Sequence, residues 1–374
     1  MSRNQKGGPI SQFQLEVQEQ YMQRALQLAG LGRGTVSPNP MVGCVIVANN
    51  RIIGEGWHRN YGKAHAEVEA VRNAMARGYS EELAGATAYV TLEPCSHYGK
   101  TPPCADLLIS KRVGAVVVAN EDPNPLVSGR GMARLRDAGI EVVSGVRAEE
   151  GALLNRRFFS GIERARPYVI LKWAQTRDGY LALPGERTKI SNPSVDVIVH
   201  KWRAEEDAIL VGRQTVQTDN PRLNLRHWAG VNPVRIVLDT NLTTARPGCF
   251  VFDGSQPTFF VNRGRESLPE GVFNRYAERP ETGFPVFYLS CADGTRSLAD
   301  VLGKFYHLGV ASILVEGGGG VLASFLEEGL WDEIRMIQCD KILGRGVKAP
   351  LPEGTMTHYE QVQDNTIFYF ISPK

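Results

Sequence analysis

Apolar residues recur along this chain with two alternating periods, and the alternation predicts helices and strands in turn. Met22, Ala25, Leu26 and Ala29 follow the i, i+3, i+4, i+7 spacing of one helix face, predicting a helix over 21–29 that Gly30 stops. The compact run 42–48, the turn pair Asn49-Asn50 and the return through Ile52-Ile53 predict a hairpin. Val68, Val71 and Met75 mark the inner face of a second helix, which opens near residue 65 and ends at Gly78. Ala88, Val90 and Leu92 then alternate as a strand, residues 105–109 suit a short helix, and 116–118 and 141–143 read as strands separated by a helix over 132–138. Strands alternating with helices predict a three-layer α/β domain.

The pattern lapses over residues 155–167, where Arg156, Arg157, Arg164 and Arg166 sit without apolar periodicity, in keeping with a solvated linker helix. It restarts with a strand over 168–173 and a helix opened by Asn192-Pro193, a capping side chain followed by proline at the first helical position. Val195, Ile198, Val199 and Trp202 line that helix. Short apolar strands follow at 208–211, 234–238, 258–261, 286–289 and 313–315, with a helix carrying Leu298, Val301, Leu302 and Phe305 before the last. Strands at 334–339 and 366–371 close the chain. No period repeats between the halves, so the expectation is a tail over 1–16, one α/β domain over 17–152, a linker over 153–166 and a different α/β domain over 167–374.

Length agrees: 374 residues are enough for two cores. With 42 basic against 40 acidic residues, the formal charge of +2 gives no electrostatic footprint for nucleic acid. No segment has the apolar run of a membrane span, and residues 1–9 are too polar for a signal peptide, so a cytoplasmic location is expected. Of six cysteines, Cys44, Cys249, Cys291 and Cys339 lack framework spacing and read as reduced thiols.

Candidate chemistry concentrates at His65-Ala66-Glu67, followed by Pro94-Cys95 and, after eight residues, Cys104. One imidazole and two thiolates can hold zinc with its fourth position open, as catalytic zinc requires. Glu67 would then shuttle protons between a zinc-activated water and a leaving amine. The H-x-E and P-C pattern belongs to zinc nucleobase deaminases, although the cysteine gap here is longer than usual. Coincidence, a structural zinc completed by a fourth ligand such as His97, and a redox pair are the alternatives. None of the three explains Glu67 or Pro94. Asn39, in a loop bordering the motif, has an amide able to read a ring's polar edge, and Lys100 lies between the cysteines. In the second half, Glu316 and the glycines 317–320 join a strand to a helix, a geometry that receives phosphate. Thr215, Asp219, Asn220-Pro221, Leu223 and Arg226 follow another strand end, and Arg203 adds a second cation for an anionic substrate.

Together the blocks Asn39-Pro40-Met41-Val42-Gly43, His65-Ala66-Glu67, the stretch 93–104 and Asp122-Pro123-Asn124-Pro125 resemble the deaminase domain of the bifunctional riboflavin biosynthesis family, which uses the long cysteine gap. The stretches 172–179 and 215–221 and Glu316-Gly317-Gly318 resemble that family's reductase domain. The resemblance implies a cytidine-deaminase-like zinc domain followed by a dihydrofolate-reductase-like domain. It implies hydrolytic deamination of 2,5-diamino-6-(5-phosphoribosylamino)pyrimidin-4(3H)-one, and then NADPH-dependent reduction of the ribosyl to the ribityl chain. One Zn2+, held by His65, Cys95 and Cys104, would work with Glu67, and Asn39, His58, Lys100, Asp122 and Asn124 would contact the first substrate. NADPH would lie on Ala174, Lys189, Thr215, Asp219, Thr240 and the loop Gly318, Gly319, Gly320, Val321, Leu322, Ala323 and Ser324. Arg187, Arg203, Leu223, Arg226 and Glu316 would hold the aminouracil phosphate. Lys189 stands where an aromatic often packs on the cofactor, and Arg187 where a serine occurs. The implied partners are small phosphorylated pyrimidines and a second copy of the chain, as a dimer or tetramer, with neither nucleic acid nor membrane. A polynucleotide deaminase is the rival enzyme reading and predicts a basic appendage, for which only the arginines of 156–166 speak. A zinc-stabilised binding protein is the rival outside enzymes and predicts a fourth protein ligand.

Overall fold

The computed structural model describes residues 12–96, 102–125, 127–186, 188–244, 248–291 and 297–373. The chain divides into two compact units, Met1–Glu163 and Arg164–Lys374.

In the first unit, α1 (Gln12–Gly30) precedes the hairpin β1 (Gly43–Ala48) and β2 (Arg51–Trp57), then α2 (Ala66–Ala76), β3 (Thr87–Leu92), α3 (Cys104–Ser110), β4 (Ala115–Asn120), α4 (Arg130–Asp137), β5 (Glu141–Ser144) and α5 (Ala148–Leu154). The sheet runs β2-β1-β3-β4-β5, with β3, β4 and β5 parallel and β1 antiparallel to both neighbours. Met22, Ala25 and Leu28 of α1 cover one face through Val45, Tyr89 and Val117. Ala70 and Val71 of α2, Leu108 of α3 and Leu135 of α4 cover the other through Ile46, Val90 and Val118. This is the expected three-layer sandwich.

Two details differ from the sequence expectations, and the helix expected within the linker stretch is present. Helix α1 starts at Gln12, inside the stretch read as a tail, because Gln, Leu and Glu propagate a helix beyond its apolar face. Residues 153–166 are helical for most of their length, with α6 (Arg156–Arg164) following α5 after Asn155 alone. The buried face of α2 is Ala66, Glu67, Ala70, Val71 and Ala74, whereas Met75 is exposed and Val68 only half-buried. The cause is close packing on β2. A Cβ at Gly54 would lie 2.4 Å from the Ala70 carbonyl oxygen, and one at Gly56 would lie 2.3 Å from the Ala70 nitrogen. Small residues on both elements bring helix and strand together, and larger side chains are turned outward.

The second unit comprises β6 (Tyr168–Thr176), β7 (Tyr180–Ala182), α7 (Pro193–Glu205), β8 (Ala208–Gly212), α8 (Arg213–Asp219), β9 (Val234–Leu238), β10 (Thr258–Asn262), β11 (Val286–Ser290), α9 (Leu298–His307), β12 (Ser312–Val315), α10 (Gly319–Glu327), β13 (Glu333–Cys339), β14 (Val347–Lys348), β15 (Thr355–Val362) and β16 (Asn365–Ile371). Its main sheet runs β11-β10-β9-β8-β12-β6-β13-β16-β15, parallel from β11 to β13 and antiparallel thereafter. Strands buried on both faces read as continuous apolar runs. In β8, Leu210 faces the cluster containing Phe305 of α9 and Phe325 of α10, while Ile209 and Val211 face Val216 of α8. Helix α7 is capped as expected, with the Asn192 side chain accepting from Val195 N at 2.9 Å, and Val195, Val199 and Trp202 pack on Ile170 and Leu314. Strand β15 has no counterpart in the apolar pattern because nearly every residue in it is exposed.

Candidate active sites

The first site is assembled where α2 and α3 begin. His65 is the extended residue before α2, Cys95 lies just past the end of β3, and Cys104 opens α3. His65 Nδ1 lies 3.7 Å from Cys95 Sγ and 3.3 Å from Cys104 Sγ, and all three donor atoms fall within 4.8 Å of one another. Tetrahedral zinc with ordinary Zn–S and Zn–N bonds needs ligand atoms about 3.5 Å apart, so the triad fits the ion. Among the described residues the cluster has three donors, the number a catalytic zinc takes from its protein; His97 and Lys100 lie outside those residues. A proton shared between the thiols holds Cys95 low and Cys104 high, and a metal ion can take that proton's place.

Glu67, the second residue of α2, is buried. Burial, reinforced by the Cys95 charge and opposed by His65, pushes its carboxyl up to about 7, where it can both hold and release a proton. His58 Nδ1 contacts the Ala64 carbonyl oxygen at 3.0 Å, which requires the proton on Nδ1. Its Nε2 is then an acceptor for the Asn39 amide at 3.2 Å. Burial lowers the His58 pKa and keeps this tautomer neutral.

Two residues absent from the sequence-derived site list hold this site in shape. Glu93, buried beside Pro94, accepts from the backbone nitrogens of Gly129 (2.9 Å), Gly131 (2.8 Å), Met132 (3.2 Å) and Asp122 (3.3 Å). It therefore joins the strand end bearing Cys95 to the loop bearing Asp122 and Asn124, where Asn124 N donates to Asp122 Oδ1 at 2.9 Å. A Cβ at Gly131 would lie 1.9 Å from the Pro94 carbonyl oxygen, so only glycine permits this approach. Asn155, buried, donates to the Met41 carbonyl at 2.9 Å and accepts from Met41 N at 2.8 Å, fixing the loop that carries Asn39. In the sequence, Glu93 only opens the stretch 93–104 and Asn155 only begins the arginine-rich stretch, and neither position carries a signal of its own.

The second site occupies the carboxyl ends of the parallel strands, where such sheets bind ligands. A cleft of about 550 Å³ is lined by Ala174, Thr215, Asp219, Gly318, Gly319, Gly320, Val321 and Leu322. Leu238, Gly320 and Val321 connect it with a further cleft of about 370 Å³ that contains Thr240 and Ser324. Lys189 and Ala323 line neither cleft, and the Lys189 ammonium instead pairs with Asp196 at 3.2 Å. Gly317 (φ 142°) and Gly318 (φ 68°) occupy backbone conformations that side chains disfavour, and they turn the chain from β12 into α10. The α10 amides can thus face a phosphate group, and the two connected clefts suit a dinucleotide.

A third cleft of about 450 Å³ shares Lys172, Thr215, Asp219 and Glu316 with the first. Arg203, Leu223 and Arg226 complete it, with Arg222 an addition the sequence reading did not assign; Arg187 lies outside the described residues. Glu316 accepts from Arg203 Nε and Nη2 at 2.7 and 2.8 Å, and Lys172 Nζ stands 3.8 Å away. Burial opposes ionisation of Glu316, but the charges of Arg203 and Lys172 outweigh it and bring its pKa down to about 2. Burial lowers the pKa of Lys172, with Glu316 resisting. His200 Nδ1 accepts from Arg226 N at 3.1 Å; burial and the charges of Arg203 and Arg226 bring its pKa down to about 4. Leu223 is buried with φ 54°, a strained conformation at a turn that lines this cleft.

Comparison with known proteins agrees with both halves. Residues 15–120 match the cytidine and deoxycytidylate deaminase zinc-binding region, and residues 167–368 match the RibD C-terminal domain. The chain is 42% identical over 334 residues to the riboflavin biosynthesis protein RibD of Aquifex aeolicus, covering 89% of each chain. It is 38% identical over 357 residues to that of Escherichia coli strain K12, covering 94% of this chain and 95% of the relative. The Thermotoga maritima diaminohydroxyphosphoribosylaminopyrimidine deaminase/5-amino-6-(5-phosphoribosylamino)uracil reductase superposes with a TM-score of 0.84 at 35% identity, covering 96% of this chain and 99% of that one. Acinetobacter baumannii RibD superposes equally well at 33% identity, covering 96% and 100%. These matches span both units and leave the polynucleotide-deaminase reading without support. Among the described residues, no helix is long and apolar enough to cross a membrane. With the zinc triad and the glycine-loop cleft in one polypeptide, this chain belongs to the RibD family of bifunctional riboflavin biosynthesis proteins.

Proposed function

We propose that the chain carries out two consecutive steps on one phosphorylated pyrimidine: hydrolytic deamination in the first unit and reduction of the ribosyl group in the second. The observation that carries this reading is the three-donor centre with buried Glu67 beside it. In the first step, water adds to C2 of the diaminopyrimidine, the C2–N bond breaks and ammonia leaves. Zinc, when bound, supplies Lewis acidity at its open position. Glu67 takes a proton from the water and returns it to the departing nitrogen, a role suited to its pKa near neutrality. Asn39, held by His58, reads the ring edge, and Lys100, Asp122 and Asn124 complete the substrate contacts.

In the second step, C1′ of the ribosyl group gains hydride, the C1′–ring oxygen bond breaks and the oxygen takes up a proton. NADPH, when bound, supplies the hydride. Ala174, Thr215, Asp219, Thr240, Gly318, Gly319, Gly320, Val321, Leu322 and Ser324 hold it, while Arg203, Leu223, Arg226 and Glu316 hold the aminouracil phosphate, with Arg187 a further contact. Lys172 lines both clefts and is positioned to provide a proton at their junction. The Arg203–Glu316 pair fixes that junction electrostatically.

We place the enzyme in the cytoplasm, a reading supported by six free thiols. We also propose a homo-oligomer. Edge strand β15 exposes Met356 and Tyr359, and β16 exposes Ile371, a surface that a second copy would cover. The test of the two reactions supplies zinc-replete protein with the diaminopyrimidine substrate and follows ammonia, then NADPH absorbance after the cofactor is added. Ammonia release followed by stoichiometric NADPH oxidation is expected. Zinc-loaded protein that releases no ammonia would refute the substrate assignment.

A further inference from the structure

We infer that Arg263 receives the 2′-phosphate that distinguishes NADPH from NADH, in the cleft it shares with Thr240 and Ser324. The inference rests on the reading of NADPH as hydride donor. It begins from the direction in which the cofactor must lie. The substrate cleft joins the first cofactor cleft through Lys172, Thr215, Asp219 and Glu316, so the nicotinamide belongs on that side, near Ala174 of β6. The glycine loop between β12 and α10 takes the phosphates at the centre. In the sheet order β10-β9-β8-β12-β6, the adenosine half must therefore extend away from β6, across β8 and β9 towards β10. Strand β10 lies three strand intervals, about 14 Å, from β12, within reach of an adenosine ribose when a long side chain spans the remainder. Arg263 immediately follows β10 and lines that cleft.

The backbone at Arg263 is built with care. Buried Asn262 accepts from Gly264 N at 2.9 Å and Arg265 N at 2.7 Å, closing a tight turn around Arg263. Arg263 N donates to the Thr240 carbonyl at 3.1 Å, and its own carbonyl accepts from Ser290 Oγ at 3.3 Å. The peptide is thus pinned on both sides while the guanidinium is exposed. The neighbouring cation is committed elsewhere, since Arg265 stacks on the Tyr288 ring at 3.8 Å. Glu328 also borders the cleft and is the one carboxylate lining it among the described residues. A carboxylate there disfavours any anion that Arg263 does not neutralise, which sharpens the dependence on that residue. Thr240 adds a hydroxyl group that can donate to a phosphate oxygen, while the Ser324 hydroxyl donates to the Gly320 carbonyl at 3.1 Å. A planar guanidinium with no acidic partner among the described residues is the group best matched to a dianionic phosphate.

The test is equilibrium binding, read without turnover. Full-length protein is titrated with NADPH and with NADH by cofactor fluorescence, and 2′,5′-ADP is competed against 5′-AMP. The wild-type protein should prefer NADPH and 2′,5′-ADP. Arg263→Gln should weaken NADPH and 2′,5′-ADP about tenfold to a hundredfold while NADH and 5′-AMP stay within about twofold. Arg263→Lys should recover part of the loss, and Arg265→Gln should change neither affinity. Equal weakening of both cofactors, or unchanged NADPH binding in Arg263→Gln, would overturn the inference while leaving the NADPH reading intact. A wild-type protein that binds NADH as tightly as NADPH would overturn the NADPH reading and this inference with it.

Discussion

In the first unit, the reacting groups come from two helix starts and a strand end, and the metal donors converge within 4.8 Å. In the second, they are gathered from the ends of β6, β8, β9 and β12 and from α7, and no short stretch of sequence contains the site. The difference lies in what each chemistry demands. A metal ion needs a few strong donors at short range, so the site is compact and its motif local. Hydride transfer between two bound molecules needs a long surface, so the site is extended and its residues are dispersed. The supports differ accordingly. Glu93 organises the deaminase site through backbone amides, while the reductase site is organised by the buried Arg203–Glu316 ion pair.

The comparison can be broken first at Glu67. Glu67→Gln should reduce ammonia release by about 10²–10⁴-fold while elemental analysis still finds zinc, and reduction of separately supplied aminouracil phosphate should be untouched. Loss of zinc in that variant would mean that Glu67 is structural and that the compact site has no dedicated proton carrier. The extended site is tested at its ion pair. Arg203→Leu removes the two-bond partner of buried Glu316 and should cost the second unit about 3 kcal/mol, measured by denaturant unfolding, whereas adding Glu316→Leu and Lys172→Leu, which clears the buried charges together, should recover most of that stability without recovering reduction. Equal stability of the single and triple variants would show that the charges left behind by Arg203→Leu carry no penalty.

A smaller effect sharpens the contrast through pH. His200 has a folded pKa brought down to about 4 from 6.5. Below pH 6.5 the unfolded chain therefore takes the proton first, so stability falls as pH drops from 6.5 to about 4 and then levels. His200→Gln should flatten this segment of the stability curve for the second unit and leave the first unit's curve unchanged. An unaltered slope would show that His200 is not the group responsible.

The deaminase site was legible because zinc chemistry restricts both residue types and spacing: His65, Glu67, Cys95 and Cys104 announce it within forty residues. Glu93 and Asn155 were not legible, because a side chain that bonds only to distant backbone leaves no periodic or compositional trace. Lys172 was hidden for a related reason. It sits within an apolar strand, and only the neighbouring Glu316 and Arg203 show why a buried cation is tolerated there. The apolar pattern located most of the strands but reversed much of the inner face of α2, since periodicity marks large side chains and cannot register that Gly54 and Gly56 favour alanines opposite.

The sequence by itself determined the order of helices and strands, the two-domain organisation and the metal-binding chemistry, because hydrophobic period and ligand type are properties of short segments. Tertiary structure alone decided which strand ends meet around each cleft, and that Lys172 lines two adjoining clefts of the second unit. It also decided that Lys189 turns to Asp196 and that Arg263 lines the cleft containing Thr240 and Ser324 without an acidic partner among the described residues. Those outcomes depend on strand order and on the close approach of distant backbone, and neither is encoded in the spacing of neighbouring residues.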